Sequence, residues 1–517
     1  MASKQLFKSS QGPYLAPADA KNHEGAAAYR FSPKHQLAQY AVTGCFSNTF
    51  YASGAEQLQS VLALSQELDA EFIAKTAIYA RKNASMKDMP ALLLAVLSMK
   101  STDHLKQVFD RVIDNGRMLR TFVQILRSGA VGRKSLGSAP KALVQKWLNT
   151  ASERQLVDAA IGSDPSLADI VRMVHPKPAD PVREAFCGWL LGKPYALESL
   201  PQKLRDFVMY KQDRTQALPE VPFQMLTALG LNREEWATVA RRGNWHMVRM
   251  NLNTFARHGV FEIPGMAETV AQKLRDRVAI EKARVLPYQL LTAYRMASAA
   301  IPEVVREALQ DAMEISLENI QAYPGRVVVC PDVSGSMASA VTGVRRGATS
   351  VVRCIDVAAL VAAAVLRKNR DALVLPFETK VREVVLNARD SVMTNADKLA
   401  AMGGGGTNCS APLGLLNARG VKADLVIYVS DNESWVDARA AGPTEMMRQW
   451  AAFKTRNPDA KLVCIDIQPN TTAQAIERSD VLNIGGFSDD VFEVVNDFAA
   501  GQLTAGHWIE RIDEIVI

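Results

Sequence analysis

Cysteine is scarce in this chain: six in 517 residues, at Cys45, Cys187, Cys330, Cys354, Cys409 and Cys464, with no C-x-x-C pair. That scatter excludes a disulfide frame and a zinc ribbon, and points to reduced thiols. Cys330 and Cys464 lie inside apolar strand-like runs, where a thiol behaves as a small hydrophobe. Histidine is scarce too, with seven residues and no H-x-x-x-H spacing, so an imidazole-held metal is not expected. No apolar run approaches the roughly 20 residues that span a membrane. The start, MASKQLFKSSQGPYL, lacks an apolar signal core and a small-residue cleavage site. The expectation is a cytoplasmic protein that is not exported and has no membrane partner.

What the chain does have is length and a divided charge. At 517 residues it exceeds one core, and about 100–200 residues per domain predicts two to four. Residues 1–323 carry 40 Lys and Arg against 31 Asp and Glu, a net +9, whereas the remainder carries 20 against 23, a net −3. The excess is densest over residues 101–150, with nine basic and three acidic side chains. An anionic partner for the first two-thirds follows as one reading, and solvated helix faces as the other.

From Ser32 to Tyr323 the pattern is helical. AEQLQSVLALSQELDAEFIAKTAIYARK places apolar residues at three- and four-residue spacing, as a pair of amphipathic helices would. DMPALLLAVLSMK follows, with Pro90 in a tolerant first turn. TDHLKQVFDRVI, MLRTFVQILRSG, APKALVQKWLNT and SERQLVDAAIG come next, separated by short polar or glycine breaks. Short helices on short links stack as antiparallel pairs, which predicts an irregular α-solenoid of the HEAT type.

The pattern changes at AYPGRVVVCPDVSGSM, where Tyr323-Pro324-Gly325 ends the last long helix. A helix (VRCIDVAALVAAAVLRK), strands (ALVLPF and VREVVL), a glycine loop (GGGGTNCS), a strand (ADLVIYVSD), a helix (TEMMRQWAAFKT) and a strand (KLVCIDIQP) follow. Apolar strands alternating with helices predict a doubly wound parallel sheet covered on both faces, with its ligand site beyond the carboxyl ends of the strands. Three segments deliver oxygen donors there: Asp332, Ser334 and Ser336 after the first strand, Thr407 on the glycine loop, and Asp431 after a later strand. Such hard donors suit Mg2+ first, with Mn2+ or Ca2+ also admitted. Gly335 and Gly403 to Gly406 allow turns in which a β-carbon would clash. The competing account is a chance aspartate followed by helix-capping serines. A dehalogenase-type phosphotransfer site would need a carboxylate where Ser334 stands, and a P-loop would need a lysine that GGGGTNCS lacks. No histidine or cysteine stands beside the cluster to act as base or nucleophile, so binding without catalysis is expected.

DVSGSM, the later threonine and the still later strand-end aspartate resemble the metal-ion-dependent adhesion site (MIDAS) of von Willebrand factor A domains, over residue 326 to the end. In that family Ser334, Ser336 and one aspartate would hold the metal directly and the others through water. In the helical region GCFSNTFYAS (44–53), GAVGRKSLGSAPKALVQKWL (129–148) and NWHMVRMNLNTFARHGVF (244–261) resemble the TROVE module. A TROVE module followed by an A domain is similar to the layout of the Ro autoantigen family and its bacterial members. The domains are then an N-terminal segment 1–31, a TROVE domain 32–323 and an A domain 324–517. The resemblance implies a monomeric ring of HEAT-like repeats closed by the A domain. It further implies that the ring cavity takes single-stranded 3′ ends of misfolded RNA. A small noncoding Y-like RNA would lie on the outer surface and an exoribonuclease would be tethered, in RNA quality control.

The residues offer three candidate RNA contacts. Arg133 and Lys134 occupy the glycine-flanked loop GRKSLG before a helix starting near Pro140, with Lys141 in its first turn. Loop cations beside free N–H groups make a phosphate site, unless this is an ordinary exposed loop. Arg241, Arg242, His246, Arg249, Arg257 and His258 surround Trp245 and Phe255, a mixture of cations and rings that suits single strands, although rings at helical spacing are more often core. Arg172 and His175, ahead of a Pro-Lys-Pro turn, form a weaker third group. The rival function is a metal-dependent protein adaptor acting through the A domain. A ribonuclease is disfavoured, because the metal cluster lies in the net-negative part of the chain.

Overall fold

The computed structural model describes residues 15–44, 46–283, 287–318, 320–341, 352–436, 442–486, 488–503 and 507–517. Cys45 and the first fourteen residues fall outside them, as does the side chain of His507. The other five cysteines are free. Among the described residues no helix is long and apolar enough to cross a membrane.

Packing divides the chain into two compact units. One combines Met1–Gln59, Leu286–Tyr288 and Leu317–Arg511; the other combines Ser60–Val285, Gln289–Ser316 and Ile512–Ile517.

Among the described residues the first unit contains eight strands: β1 (Ala20–Lys21), β2 (Ala27–Arg30), β3 (Val327–Pro331), β4 (Leu373–Val374), β5 (Leu425–Ser430), β6 (Lys461–Asp466), β7 (Thr472–Ala473) and β8 (Val481–Gly485). Five of them form a parallel sheet in the order β4-β3-β5-β6-β8. Strands β3 and β5 are buried along their whole length, as a sheet covered on both faces requires. Helix Cys354–Lys368, apolar and buried from Cys354 to Leu366, lies against β3 and the helix Val392–Ala400. Trp450 and Phe453 of helix Glu445–Lys454 stack at 5.6 Å in the core on which β5 and β6 also pack.

Two sequence expectations need correction. VREVVL is not a strand: after an isolated bridge at Val381 the chain leaves the sheet, and Val385 is 90% exposed. Without a neighbour to pair with, its alternating valines gain nothing from an extended ladder. The last helix before the sheet, Glu303–Ser316, also ends well ahead of Tyr323-Pro324-Gly325.

Residues 32–59, grouped above with the helical region, pack in this first unit. The reason lies in strand pairing and in a polar contact. Strand β2 bridges β1 and β7 in a small antiparallel sheet, with Ala26, Ala27 and Ala28 buried. Helix Pro33–Thr43, capped by the Ser32 hydroxyl, carries Gln39, whose amide donates to Asp466 at 3.1 Å. Gly485 on β8 leaves room for it: a β-carbon there would come within 2.2 Å of the Gln39 side chain.

The second unit is helical. Helices Ala70–Lys82, Asp88–Lys100, Thr102–Val112, Gly116–Arg127, Ser138–Thr150, Glu153–Ala159 and Leu167–Val174 follow one another on short links. Asp88–Lys100 is buried from Met89 to Ser98 and is flanked by its neighbours, which explains its nearly all-apolar sequence. Later in the chain, Met266–Arg275 packs on Glu303–Ser316.

Candidate functional site

The parallel register creates the first cluster. Pro331 pairs with Val429, so the residue after β3 stands beside the last residue of β5. Asp332 accordingly accepts a hydrogen bond from the Ser430 hydroxyl at 2.6 Å, and its own N–H donates to Val429 O at 2.9 Å. Its second carboxylate oxygen accepts from the Ser334 N–H at 2.8 Å, closing a turn that brings the Ser334 and Ser336 hydroxyls to 3.2 Å. The glycine loop is tied to this turn by two backbone bonds, Gly335 N to Gly405 O and Gly404 N to Val333 O, both 2.9 Å. Gly405 has φ +80°, and a β-carbon there would meet Glu378 at 2.0 Å, so glycine is required. The loop delivers Thr407, buried, with its carbonyl accepting from the Trp435 N–H at 3.2 Å. Asp431 follows β5, and Asn432 beyond it takes a left-handed turn (φ 63°).

Asp332, Ser334, Ser336, Thr407 and Asp431 are all buried. Burial pushes the Asp332 carboxyl up to about 6, against the pull of hydrogen bonds from Ser334 and Ser430. Burial, then the neighbouring charge of Asp332, raises Asp431 well above the ordinary range. Among the described residues no lysine or arginine pairs with either aspartate. Two buried carboxylates without a cationic side chain, ringed by hydroxyls, are a donor set of hard oxygens that fits a divalent cation.

The cationic candidates all lie in the helical unit. Helix Ser138–Thr150 begins two residues earlier than expected, behind Gly137, which provides no side-chain cap. The N–H groups of Ser138 and Ala139 are therefore open to an outside acceptor, whereas Pro140 has none and Lys141 N donates to Gly137 O at 3.1 Å. Arg133 is committed locally: its guanidinium donates to Ser135 O at 2.9 Å and Ser98 O at 3.4 Å, and a β-carbon on Gly137 would collide with it. Lys134 is exposed and Lys141 half-buried. The structure brings the Arg172–His175 group to the same helix. Gln145, one turn after Lys141, donates to Val174 O at 2.6 Å and His175 O at 3.3 Å. His175 is exposed in a left-handed cap (φ 49°), and Arg172 pairs with Asp169 at 3.2 Å on the surface.

The third group divides. Arg241, Arg242 and Arg257 are exposed, with Arg242 donating to Leu218 O at 2.8 Å. Arg249 lies over the Trp245 ring at 5.8 Å and donates to Gln289 O at 2.7 Å. His246 is half-buried against Ala283 O at 2.8 Å, and burial lowers its pKa, so it is neutral at pH 7 and contributes no charge. Trp245 and Phe255 are core residues; the Trp245 N–H donates to Leu274 O at 3.0 Å. His258 is exposed and stacks at 4.6 Å on Trp236, which is itself buried.

Comparison with known proteins agrees with both halves. Residues 326–499 match the family model of the Ro60 vWA domain. The chain is 25% identical to RNA-binding protein RO60 of Deinococcus radiodurans, over 93% of this chain and 96% of that one. The crystal structure of the D. radiodurans Ro (RSR) protein superposes with a TM-score of 0.63 at 20% identity, covering 91% of this chain and all of the other. Residues 326–499 thus carry a Ro60-type vWA domain, and the chain as a whole is similar to Ro proteins. RNA-binding protein RO60 of Caenorhabditis elegans is 24% identical over 46% of this chain and 37% of its own length.

Sequence reasoning missed what the N-terminal segment does in this chain. His23 grips Glu433, two residues beyond Asp431, through its N–H at 2.8 Å and its ring at 2.9 Å. Asn22 donates to Ser434 O at 2.6 Å, and Tyr51 stacks on His23 at 5.4 Å. These contacts join residues some 400 positions apart, and a lone surface histidine announces nothing of the kind. Asp466 is a further buried carboxylate beside the cluster, raised well above its usual range by burial and by Glu433.

Proposed function

We propose that this chain is the RNA-binding scaffold of a Ro-type ribonucleoprotein. The surface that carries the reading is the uncapped start of helix Ser138–Thr150, with Lys134 and Lys141 beside it and Arg133 bracing the loop. Phosphate oxygens would accept from the free N–H groups while the two lysines neutralise charge. Arg172, His175, Arg241, Arg242, Arg249 and Arg257 extend the cationic surface, and His246 serves as a hydrogen-bonding neighbour. The end-to-end similarity to a Deinococcus protein named for RNA binding supports the same assignment. The RNAs are a small noncoding Y-like RNA and misfolded RNA presenting a single-stranded 3′ end, with an exoribonuclease as protein partner. The chain binds and positions these RNAs, consistent with relatives that are named as RNA-binding proteins.

Asp332, Ser334, Ser336, Thr407 and Asp431 would hold a divalent cation, Mg2+ by preference. Bound there, it would offset the charge of the two buried aspartates and lock together the three segments that carry the donors. The test is binding of a stem–loop RNA, with and without a 3′ tail, at three salt concentrations and with EDTA in parallel. Tail-dependent, salt-sensitive binding that survives EDTA is expected. Binding lost only with EDTA would favour the metal-centred adaptor instead.

A further inference from the structure

In the helical unit His258 is an exposed ring fixed on a buried one. Its plane lies 17° from that of Trp236, with the ring centroids 4.6 Å apart, and Trp236 is only 4% exposed. Trp236 stands in the first turn of helix Arg233–Arg242, whose start is closed by reciprocal bonds between Asn232 and Glu235 at 2.7 and 2.9 Å. His258 is set by the end of helix Leu252–Arg257, where its N–H donates to Thr254 O at 3.1 Å. One face of the imidazole is thus taken by the indole. Among the described residues the ring nitrogens of His258 have no hydrogen-bond partner, and no second ring stacks on it. Cations border the ring. Gly259 takes φ +68°, and the Arg233 guanidinium lies across it, since a β-carbon there would come within 2.9 Å of Arg233 Nε. Arg233 pairs with Glu262 at 2.8 Å, but both side chains are more than half exposed, so water weakens the pair and a phosphate can replace the carboxylate. Arg257, immediately before His258, is exposed and has no ion pair among the described residues.

We propose that the open face of His258 is a stacking station for one unpaired base of single-stranded RNA, with Arg233 and Arg257 meeting adjacent phosphates. The inference rests on the RNA-binding reading above and deepens it, by assigning a base contact where that reading assigns only charge. A flat ring held on an immobile support loses little freedom when a base settles on it, and guanidinium groups at its border neutralise the backbone that the base brings with it. Stacking reads no hydrogen-bonding edge, so the station takes any base, and purines gain more than pyrimidines through their larger overlap. A base inside a duplex has both faces covered by its neighbours and cannot enter. His258 therefore gives a preference for unpaired nucleotides, which Lys134 and Lys141 cannot give, because paired and unpaired strands carry the same phosphates.

The test is an abasic scan with the full chain. A stem–loop RNA with a single-stranded 3′ tail is made with each unpaired nucleotide in turn lacking its base, and affinities are measured by fluorescence anisotropy for wild type, His258→Ala and His258→Phe. In wild type, removing the base at one position should weaken binding about fivefold or more, the lower end of what a single aromatic–base stack contributes. His258→Ala should bind the intact RNA more weakly by the same factor and lose the sensitivity at that position. His258→Phe keeps a flat ring on Trp236 and should retain both. Arg233→Ala should lower the salt slope by roughly 0.7 while keeping the abasic profile. The same abasic profile in wild type and His258→Ala overturns the station. Wild type that binds neither the tailed nor an untailed RNA removes the RNA reading and the station with it, an outcome distinct from tight binding with no position that depends on His258. Should His258→Ala fail to fold, His258→Gln, which keeps a polar side chain without a ring, must give the same loss.

Discussion

Replacing Lys134 and Lys141 together by alanine separates RNA contact from stability. Neither lysine forms an ion pair among the described residues, and the loop is braced by Arg133 through Ser98 and Ser135, so the fold should tolerate the change. On a single strand each neutralised phosphate contributes roughly 0.7 to the slope of log K against log salt. Between 1 M and 0.15 M salt that amounts to about 0.6 log units per cation, so losing two lowers affinity about 14-fold at 0.15 M. The slope itself should fall by roughly 1.4. The assay is fluorescence anisotropy with a tailed stem–loop RNA across a salt series, with thermal unfolding as the control for folding. An unchanged slope in a properly folded double variant would refute the assignment of these lysines to phosphate. Arg133→Ala should behave differently, lowering both affinity and melting temperature, because it frees the Ser98 and Ser135 carbonyls.

Four further outcomes follow from the geometry. A saturating divalent cation should stabilise the chain by about 2.7 kcal/mol at a hundredfold excess over Kd, an increment that Asp332→Ala abolishes in calorimetry. In EDTA the pH dependence has a definite sign: Asp332 and Asp431 are raised in the folded state, so their contribution is fully present below about pH 4 and is lost as pH rises, for Asp332 through about 6; metal-free protein more stable at pH 7 than at pH 5 by denaturant titration would contradict it. Gly405→Ala should weaken metal binding measured by titration calorimetry, because φ +80° and the Glu378 contact oppose a β-carbon in the loop that delivers Thr407. Phe255→Ala should cost about 3–5 kcal/mol of stability as a core truncation, while leaving the RNA affinity of the remaining folded protein unchanged.

Much of this molecule was legible because its local signals agree with its tertiary structure. The helices from Gly54 to Ala159 could be placed from apolar spacing, and the sheet from runs such as VVVC and LVIYVS, because burial on both faces makes the strands almost wholly apolar. The segments that carry Asp332, Ser334, Ser336, Thr407 and Asp431 were likewise readable, since they follow strand ends or lie in a glycine loop whose backbone needs are written locally. VREVVL misled for the complementary reason. Its alternation matches a half-buried strand, yet among the described residues no neighbour pairs with it beyond Val381, and pairing is a property of the whole sheet.

What stayed hidden is long-range polar contact. Nothing near His23 specifies Glu433, nothing near Gln39 specifies Asp466, and the strand pairing of β2 with β7 is set by two residues on each side. Each is a single hydrogen-bonded juxtaposition that leaves no periodic mark in sequence, yet together they seat the N-terminal segment beside the buried acids. The same physics explains why they cluster there. Asp431, Glu433 and Asp466 are buried together, and buried charge is tolerable only when hydrogen bonds or a cation meet it. His23 and Gln39 supply such hydrogen bonds, to Glu433 and Asp466, from the far end of the chain, and Asn22 anchors the adjoining Ser434 carbonyl. Occupation of the oxygen cluster and docking of the N-terminal segment therefore relieve one shared electrostatic cost, and loss of either should loosen the other.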